Sequence, residues 1–297
     1  MTSLSEAMER CVDETITTLE SYIAKSDSFD SQLYEAMRYS LMAGGKRLRP
    51  FLVISSAELF DIPRSKALPI AAAIEMVHTY SLIHDDLPAM DNDDFRRGKP
   101  TCHKQFGEAI AILAGDALLT LAFQIVSCPK TNNNAAVRSE ITNELALAAG
   151  AAGMVGGQMI DIAAETAIKP LSLNNVIEMQ KRKTGALIKF ACLAGPILGA
   201  QKGIRRNALA DYAEKIGLAF QIVDDLLDHE GDEETMGKAA GKDAVAGKAT
   251  FVSLLGVQGA RQRAEKLVSE AKSSLKVFGE RSVLLKDVAQ YIVDREK

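Results

Sequence analysis

The chain has 297 residues, a formal net charge of −4, and a composition that is 47% hydrophobic and 25% charged. This length and composition are typical of a soluble globular protein with a large core, in one domain or two. Because no basic arm or stripe offsets the acidic balance, we expect no nucleic-acid partner.

The first residues and the cysteines indicate the compartment. Residues 1–14 are polar and acidic, and they lack both the apolar stretch of a signal peptide and the basic character of a transit peptide. The four cysteines lie far apart and form no CxxC pair, so we expect reduced thiols. These features predict a cytoplasmic protein.

Helical periodicity recurs along the chain. In the stretch 31–43, Leu33, Met37 and Leu41 lie four residues apart and form an apolar stripe that ends at two glycines. Further helices are predicted at 50–60, 69–84, 109–127, 139–162, 173–194, 201–227 and 250–278, with a loop at 128–136. No sustained alternation of apolar and polar residues indicates a strand. The prediction is therefore a single all-α domain over residues 1–297, a helical bundle with buried central helices.

Two of these helices have unusual compositions. Residues 109–126 are apolar over a bilayer's length, but Asp116 lies at the centre and no basic anchors flank them. We therefore predict a buried core helix and no stable membrane insertion. The predicted helix 139–162 contains Gly150, Gly153, Gly156 and Gly157. Since glycine is unfavourable in a helix, we expect these positions to let a backbone or a ligand approach closely.

The stretch SLIHDDLPAMDNDDFRRGKP, residues 81–100, places five aspartates in ten positions and two arginines behind them. Like charges at this density repel one another, so the pattern indicates a cation bound from solution. Asp85 and Asp91 are six residues apart, which would turn a regular helix by about 600° and separate them. Pro88 predicts that the helix ends and that a loop brings Asp91 back beside Asp85.

A second cluster, FQIVDDLLD at residues 220–228, also follows an apolar run. Asp224 and Asp228 point about 40° apart on a helix, with Asp225 beside them. Oxygen ligands without histidine suit Mg²⁺ or Mn²⁺ rather than zinc, and the first cluster lacks the glycine and glutamate of an EF-hand loop. The alternative interpretation is that these aspartates are solvated helix ends. The presence of two such clusters makes this alternative the weaker one.

Basic residues supply the complementary charge. In GGKRLRP, residues 44–50, Lys46, Arg47 and Arg49 follow two glycines with accessible backbone N–H groups, an arrangement that suits a phosphate. Neither GDEETMGKA nor GKDAVAGKA is a Walker A loop, because the glycine spacing and the residue after lysine do not match. Carboxylate clusters, cationic groups and an apolar interior together predict a substrate with a diphosphate head and a hydrocarbon tail.

The motifs DDLPAMD with RR behind it, DDLLD, GGKRLRP, HTYSLIHDD, GGQMID, KTGALI and FQIVDD resemble those of the trans-isoprenyl diphosphate synthase family, most closely its bacterial farnesyl branch. The resemblance covers residues 34–255. It implies an all-α bundle of the isoprenoid-synthase type around a deep central cavity, assembled as a homodimer. It also implies a prenyltransferase that joins isopentenyl diphosphate head-to-tail to dimethylallyl and geranyl diphosphate. The implied product is farnesyl diphosphate (C15), with geranylgeranyl diphosphate (C20) as the alternative.

The same resemblance implies residue roles. Three Mg²⁺ ions, or Mn²⁺ in their place, would be held by Asp85, Asp86, Asp91, Asp224 and Asp228; the first four, with Lys183, are the predicted catalytic residues. The allylic diphosphate would be bound by Arg96, Lys183, Thr184, Gln221, Lys238 and Lys248. Isopentenyl diphosphate would be bound by Lys46, Arg49, His78 and Arg97. Tyr80 and its neighbour Ser81 would set product length, since Tyr80 lies roughly 7.5 Å below Asp85 along the helix.

Three other interpretations are weaker. A terpene cyclase also carries DDxxD, but the combination of DDLLD with GGKRLRP argues against that class. A catalytically silent partner subunit usually loses aspartates from one motif, and both motifs are intact here. His84, beside Asp85, is a candidate general base, although we favour a role in helix packing.

Overall fold

The computed structural model describes residues 3–23, 28–167, 170–230 and 249–295. The first half contains α1 (Leu4–Tyr22), α2 (Ser31–Leu41), α3 (Leu48–Glu58), α4 (Arg64–Asp85), β1 (Phe95–Arg96), β2 (Lys99–Pro100), α5 (Cys102–Phe106), α6 (Glu108–Ser127) and α7 (Ala135–Ala149). The second half contains α8 (Met154–Glu165), α9 (Leu173–Gln180), a π-helical turn (Lys181–Gly185), α10 (Ala186–Leu198), α11 (Ile204–Glu230), α12 (Phe251–Ser274), a 3-10 segment (Leu275–Ser282) and α13 (Val283–Asp294). The two short strands pair antiparallel.

The core is built around α4 and α10. On α4 every side chain from Ile70 to Val77 is almost inaccessible to solvent, because this alanine-rich run lies between α3 and α6. Where α10 crosses α3, a Cβ on Gly195 would lie 2.3 Å from the carbonyl carbon of Ser56. The hydroxyl of Ser56 donates to the carbonyl of Ala191 at 3.2 Å across the same crossing. Small residues therefore let the central helices pack at short distance, as close packing of an all-α core requires.

The all-α prediction is confirmed, but the predicted helix 139–162 is wrong. It is divided into α7 and α8, because the backbone leaves the helical region between residues 150 and 153; Gly153 has φ −120° and ψ −125°. Glycines lower helix stability enough for tertiary packing to break the helix there. The close approach predicted for these glycines is confirmed at Gly157, where a Cβ would lie 2.2 Å from the backbone nitrogen of Lys183.

Other differences concern short or terminal elements. The predicted helix 173–194 is interrupted by the π-helical turn Lys181–Gly185. Such turns widen the backbone locally and are frequent at functional sites. Helices α1, α5 and α13 and the two strands have no counterpart in the sequence prediction, and a two-residue strand is too short to show an alternating pattern.

Among the residues that the structure describes, two segments are long and apolar enough to cross a membrane by length and composition, Glu108–Ser127 and Ala135–Glu165. The first is α6, which packs along α4 on one side. On its other side Ile112 and Leu113 are 41% and 56% exposed. The predicted core helix is therefore buried on one face only.

Arg47 has a structural role, although the spacing of the motif did not distinguish it from the basic residues beside it. Its backbone has a φ of 50° immediately before α3, and its side chain turns inward. The guanidinium donates to Glu75 Oε1 at 2.5 Å and to the carbonyl oxygen of Leu41, and both charged side chains are at most 3% exposed. Arg47 thus joins the glycine loop to the middle of α4 and is not available to a phosphate at the surface.

We expect Arg47→Met to lower the free energy of unfolding by roughly 3–5 kcal/mol, because Glu75 would remain buried without its partner. For a chain of this length that corresponds to about 5–8 °C in Tm, measurable by calorimetry. Lys46→Met is the matched control, since Lys46 is the exposed neighbour and its Tm should equal that of the wild type. An Arg47→Met protein with an unchanged Tm would contradict this account.

Candidate active site

A cavity of about 420 Å³ opens between α4, α8 and the π-helical turn. Its polar lining residues include Arg49, His78, Asp85, Lys183 and Thr184. Its apolar lining residues include Tyr80, Met154, Val155, Met159 and Ile162. Charged groups and an apolar surface in one cavity suit a ligand that has an ionic head and a hydrocarbon body.

The first aspartates lie where α4 ends at this cavity. The backbone N–H of Asp91 donates to the carbonyl oxygen of Asp85 at 2.9 Å, so the loop returns as predicted. Burial raises the pKa of Asp85 to about 6, and the carboxylate of Asp91 adds to the rise, while Lys183 and Arg96 oppose it. The sequence therefore predicted correctly that Asp85 and Asp91 lie together.

Asp86, next to Asp85, faces a different partner. Both of its carboxylate oxygens accept from Arg96 Nε at 2.8 Å, and Arg96 also lies 3.7 Å from Asp93. Asp86 and Asp93 are at most 5% exposed. In this structure Asp86 and Arg96 therefore hold the loop together, while their predicted roles toward metal and diphosphate stay predictions.

The π-helical turn presents Lys183 and Thr184 to the cavity. Lys183 Nζ donates to Asp161 Oδ2 on α8 at 2.6 Å. The hydroxyl of Thr184 donates to Gln221 Oε1 on α11 at 3.1 Å. Two pairs of residues from different sequence motifs, Lys183 with Asp161 and Thr184 with Gln221, are thus joined by contacts between helices.

The second aspartate cluster divides into two roles. Asp225 is buried; it accepts from the backbone N–H of Phe251 at 2.7 Å and thereby ties α11 to the start of α12. Asp224, which is turned about 100° from it on the helix, accepts from Arg295, near the C-terminal end of the chain. Burial raises the pKa of Asp224, and the guanidinium of Arg295 opposes that rise. Asp228 follows Asp224 by about one turn of α11 and is half-buried.

Arg295 is the contact that sequence reasoning missed. Its guanidinium also donates to the carbonyl of Phe220 at 2.9 Å and lies 3.9 Å from the centre of that ring. An arginine 71 residues away along the chain gives no local signal that it faces Asp224. Only the packing of α13 against α11 brings the two together.

The glycine loop forms a second cationic region. The guanidinium of Arg97 donates to the carbonyl of Gly44 and occupies the space above Gly45, where a Cβ would lie 2.7 Å from it. Gly45 has a φ of 111°, so both the conformation and the space require glycine. Lys46 Nζ lies 5.2 Å from the ring of Tyr291 on α13.

Arg49 and His78 connect this region to the cavity, which both of them line. Burial lowers the pKa of His78 well below its usual value, and Arg49 and Arg97 act in the same direction, so the imidazole is neutral at pH 7. Within the described part of the chain, Nε of Arg49 is buried without a hydrogen-bond partner. These observations favour an anionic ligand at this end of the cavity.

Tyr80, Ser81 and His84 lie below the aspartates on α4. Tyr80 is 7% exposed, lines the cavity, and meets His84 edge-on with ring centres 5.6 Å apart. Ser81 also lines the cavity, and its hydroxyl donates to the carbonyl of His78 at 2.9 Å. His84 Nε2 lies 3.1 Å from the carbonyl of Ile112 on α6, which agrees with the packing role we favoured over a general base.

Lys238 and Lys248 lie outside the described residues. Among residues 3–23, 28–167, 170–230 and 249–295, no three His, Cys, Asp or Glu side chains are grouped closely enough to hold a metal ion. Nevertheless Asp85 lines the cavity and the backbone N–H of Asp91 donates to its carbonyl, so two carboxylates lie near each other there. Carboxylate oxygens fit Mg²⁺, because this ion takes few carboxylates and completes its shell with water and phosphate.

Comparison with known proteins supports this chemistry. Residues 30–282 match the Polyprenyl synthetase family. The chain is 46% identical to farnesyl diphosphate synthase of Escherichia coli (strain K12), over 98% of this chain and 99% of that protein. It is 45% identical to geranylgeranyl diphosphate synthase of Cyanophora paradoxa, over 89% of this chain and 87% of that one. The crystal structure of an FPP/GFPP synthase from Zymomonas mobilis superposes with a TM-score of 0.91 at 47% identity, covering 97% of this chain and 98% of that one.

Proposed function

The chain belongs to the polyprenyl synthetase family, and from this premise we propose that it is a farnesyl diphosphate synthase. It is a prenyltransferase that joins isopentenyl diphosphate head-to-tail to dimethylallyl diphosphate and then to geranyl diphosphate. The observation that carries this function is the cavity, which has cations and carboxylates in its polar lining and methionine, isoleucine and tyrosine side chains in its apolar lining.

The two substrates occupy two cationic regions. The allylic diphosphate is assigned to the end formed by Arg96, Lys183, Thr184 and Gln221. Isopentenyl diphosphate is assigned to the region of Lys46, Arg49, His78 and Arg97. A neutral His78 donates a hydrogen bond to a phosphate oxygen without adding charge to a region that already holds several cations.

The reaction begins when the C–O bond of the allylic diphosphate breaks and both electrons leave with pyrophosphate. Lys183 and Arg96 are preorganised to stabilise the charge that develops on the leaving group. The allylic cation then lies against the apolar wall of the cavity, where little water is present to capture it. The double bond of isopentenyl diphosphate attacks C1 of the cation, and a proton leaves to the released pyrophosphate.

Divalent metal use is typical of the family. We propose that Asp85, Asp86 and Asp91 on one side and Asp224 and Asp228 on the other hold three Mg²⁺ ions, or Mn²⁺. Bound metal supplies Lewis-acid neutralisation of the diphosphate. In this structure Asp86 and Asp224 accept from Arg96 and Arg295.

Product length follows from the depth of the cavity below Asp85. Tyr80 is bulky, buried and directed to the cavity, which supports a chain of fifteen carbons as the longest product. Similarity to geranylgeranyl diphosphate synthase of Cyanophora paradoxa keeps the C20 product as the second candidate.

Product analysis tests the function directly. Purified protein is incubated with Mg²⁺, labelled isopentenyl diphosphate and dimethylallyl, geranyl or farnesyl diphosphate in turn, and the alcohols are separated after phosphatase treatment. We expect mainly C15 alcohol and unextended farnesyl diphosphate. Mainly C20 alcohol would retain the reaction and reject the C15 product, and no condensation by folded protein with any primer would reject the enzyme.

We also propose that the protein acts as a cytoplasmic homodimer. Helices α6 and α7, which pack against each other, carry the exposed apolar residues Ile112, Leu113 and Leu147, and burying such residues in a subunit contact is favourable. All four cysteines are free thiols, which suits a reducing compartment. Light scattering coupled to gel filtration checks the subunit number, and cell fractionation checks the compartment.

A further inference from the structure

Helix α8 and the π-helical turn are in unusually close contact. Gly157 and Asp161 are one helical turn apart, so they lie on the same face of α8. A Cβ at Gly157 would lie 2.2 Å from the backbone nitrogen and 2.5 Å from the Cα of Lys183. Glycine at this position therefore lets the backbone of Lys183 rest directly on α8, one turn from a carboxylate.

That carboxylate holds the side chain of the same lysine. Lys183 Nζ lies 2.6 Å from Asp161 Oδ2, and the two side chains are 26% and 11% exposed. Lys183 lines the cavity, whereas Asp161 is absent from the described residues that line it. Asp161 thus holds the ammonium group of a cavity residue, while it is not itself part of the cavity lining among the described residues.

We propose that Asp161 is a positioning residue, which holds the ammonium group of Lys183 at the cavity so that it meets the diphosphate of the allylic substrate. This inference rests on the proposed function, because it takes Lys183 as a diphosphate contact. A lysine side chain has four rotatable bonds, and ordering it at the moment of binding would cost much of the interaction. A charged hydrogen bond that is already formed removes that cost before the substrate arrives.

The first test compares the two substrates. For Asp161→Asn we expect kcat/KM for the allylic diphosphate to fall about tenfold, in line with the loss of one charged hydrogen bond. The KM for isopentenyl diphosphate should stay within about twofold, since its residues lie on the glycine loop, α3 and α4. A similar loss for both substrates would indicate a general structural role and overturn the proposal.

The second test asks whether Asp161 acts through Lys183. The double variant Asp161→Asn/Lys183→Ala should have the same kcat/KM as Lys183→Ala alone, because contacting groups are not additive. If each substitution instead lowered kcat/KM by its own factor and the two factors multiplied in the double variant, the proposal would be overturned. Glu178→Gln is the matched control: it removes an exposed ion pair with Arg182 beside the same turn, 2.8 Å long, and should leave kcat/KM unchanged.

A binding measurement separates this inference from the proposed reaction. Titration calorimetry with inorganic pyrophosphate and Mg²⁺ should give about tenfold weaker binding to Asp161→Asn than to the wild type. This measurement does not require turnover. It therefore tests the role of Asp161 even if the wild type condenses no primer. If Asp161→Asn folds poorly, Asp161→Glu, which keeps the charge but moves it by one methylene, should show a smaller loss in the same direction. Equal pyrophosphate affinity in a folded variant and the wild type would overturn the proposal.

Discussion

Replacing Asp85 with Asn should lower kcat about a thousandfold or more, because the predicted cation site at the cavity loses a ligand where the leaving group develops its charge. Asp85 is the residue on which the site's features converge. It ends α4, lines the cavity, and accepts through its carbonyl from the returning loop at Asp91. Asparagine has nearly the same shape, so the loop should retain its course. Steady-state assays with geranyl diphosphate and labelled isopentenyl diphosphate measure the loss.

Asp94→Asn is the matched control for this experiment. Asp94 belongs to the same acidic stretch, but its side chain is 61% exposed and pairs with Lys104 at 2.8 Å. We expect kcat to remain within about twofold of the wild type, as for most exposed ion pairs. If Asp94→Asn lost as much activity as Asp85→Asn, the charge of the whole stretch, and not a site at Asp85, would account for the effect.

The same Asp85→Asn substitution should raise stability at neutral pH in the absence of metal. The pKa of Asp85 is raised from 3.8 to about 6 in the folded protein. Between these two values the folded state binds the proton more strongly than the unfolded state, so the contribution of Asp85 to stability falls as pH rises. The variant lacks this loss. The free energy of unfolding of the variant should nearly equal that of the wild type below pH 4 and exceed it by roughly 1–3 kcal/mol above pH 6.

Thermal unfolding of both proteins across this pH range measures the difference. Other titrating groups are common to the two proteins and largely cancel in the comparison. An advantage that is constant with pH, or that grows as pH falls, would contradict the raised pKa of Asp85. A group that costs stability but is needed for activity is expected at a binding site.

Replacing Tyr80 with Ala should shift the main product from C15 to C20 or longer, with at least about a tenfold change in the C20:C15 ratio. The aromatic ring is 7% exposed, lines the cavity and packs against His84, so its removal lengthens the space below Asp85. The substitution should also cost about 3 kcal/mol of stability, because the cavity relaxes only in part. Circular dichroism therefore accompanies the product analysis.

Tyr80→Phe provides the matched control, since it keeps the ring and removes only the hydroxyl. Its products should remain mainly C15. A folded Tyr80→Ala protein that still makes only C15 alcohol would remove Tyr80 from the account of product length. A Tyr80→Phe protein that makes C20 would instead assign the effect to the hydroxyl group.

Much of this site was predictable from local spacing. The i, i+4 relation of Asp224 and Asp228, with Asp225 to one side, follows from helical geometry. In the structure Asp225 accepts from the N–H of Phe251 while Asp224 accepts from Arg295, so these two neighbours have different partners. Pro88 likewise predicted the loop that returns Asp91 to Asp85, because a proline interrupts a helix wherever it folds.

Local spacing did not separate residues of the same type within one motif. In GGKRLRP all three cations looked alike, yet Arg47 turns inward to Glu75 while Arg49 lines the cavity. In the first cluster Asp85 lines the cavity, whereas Asp86 is held by Arg96. These choices depend on which neighbour is within reach after the helices pack.

The sequence by itself determined the helical class, the diphosphate-and-hydrocarbon character expected of the ligand, and the angular relation of Asp224, Asp225 and Asp228 on their helix. These properties depend on composition and on a helix period of about 3.6 residues, which are the same in any tertiary context. Only the tertiary structure decided that Lys183 meets Asp161 and that Asp224 meets Arg295. The partners in those pairs are 22 and 71 residues apart. Whether the two side chains of each pair meet depends on how the helices pack against one another. No periodic pattern in the sequence encodes that packing.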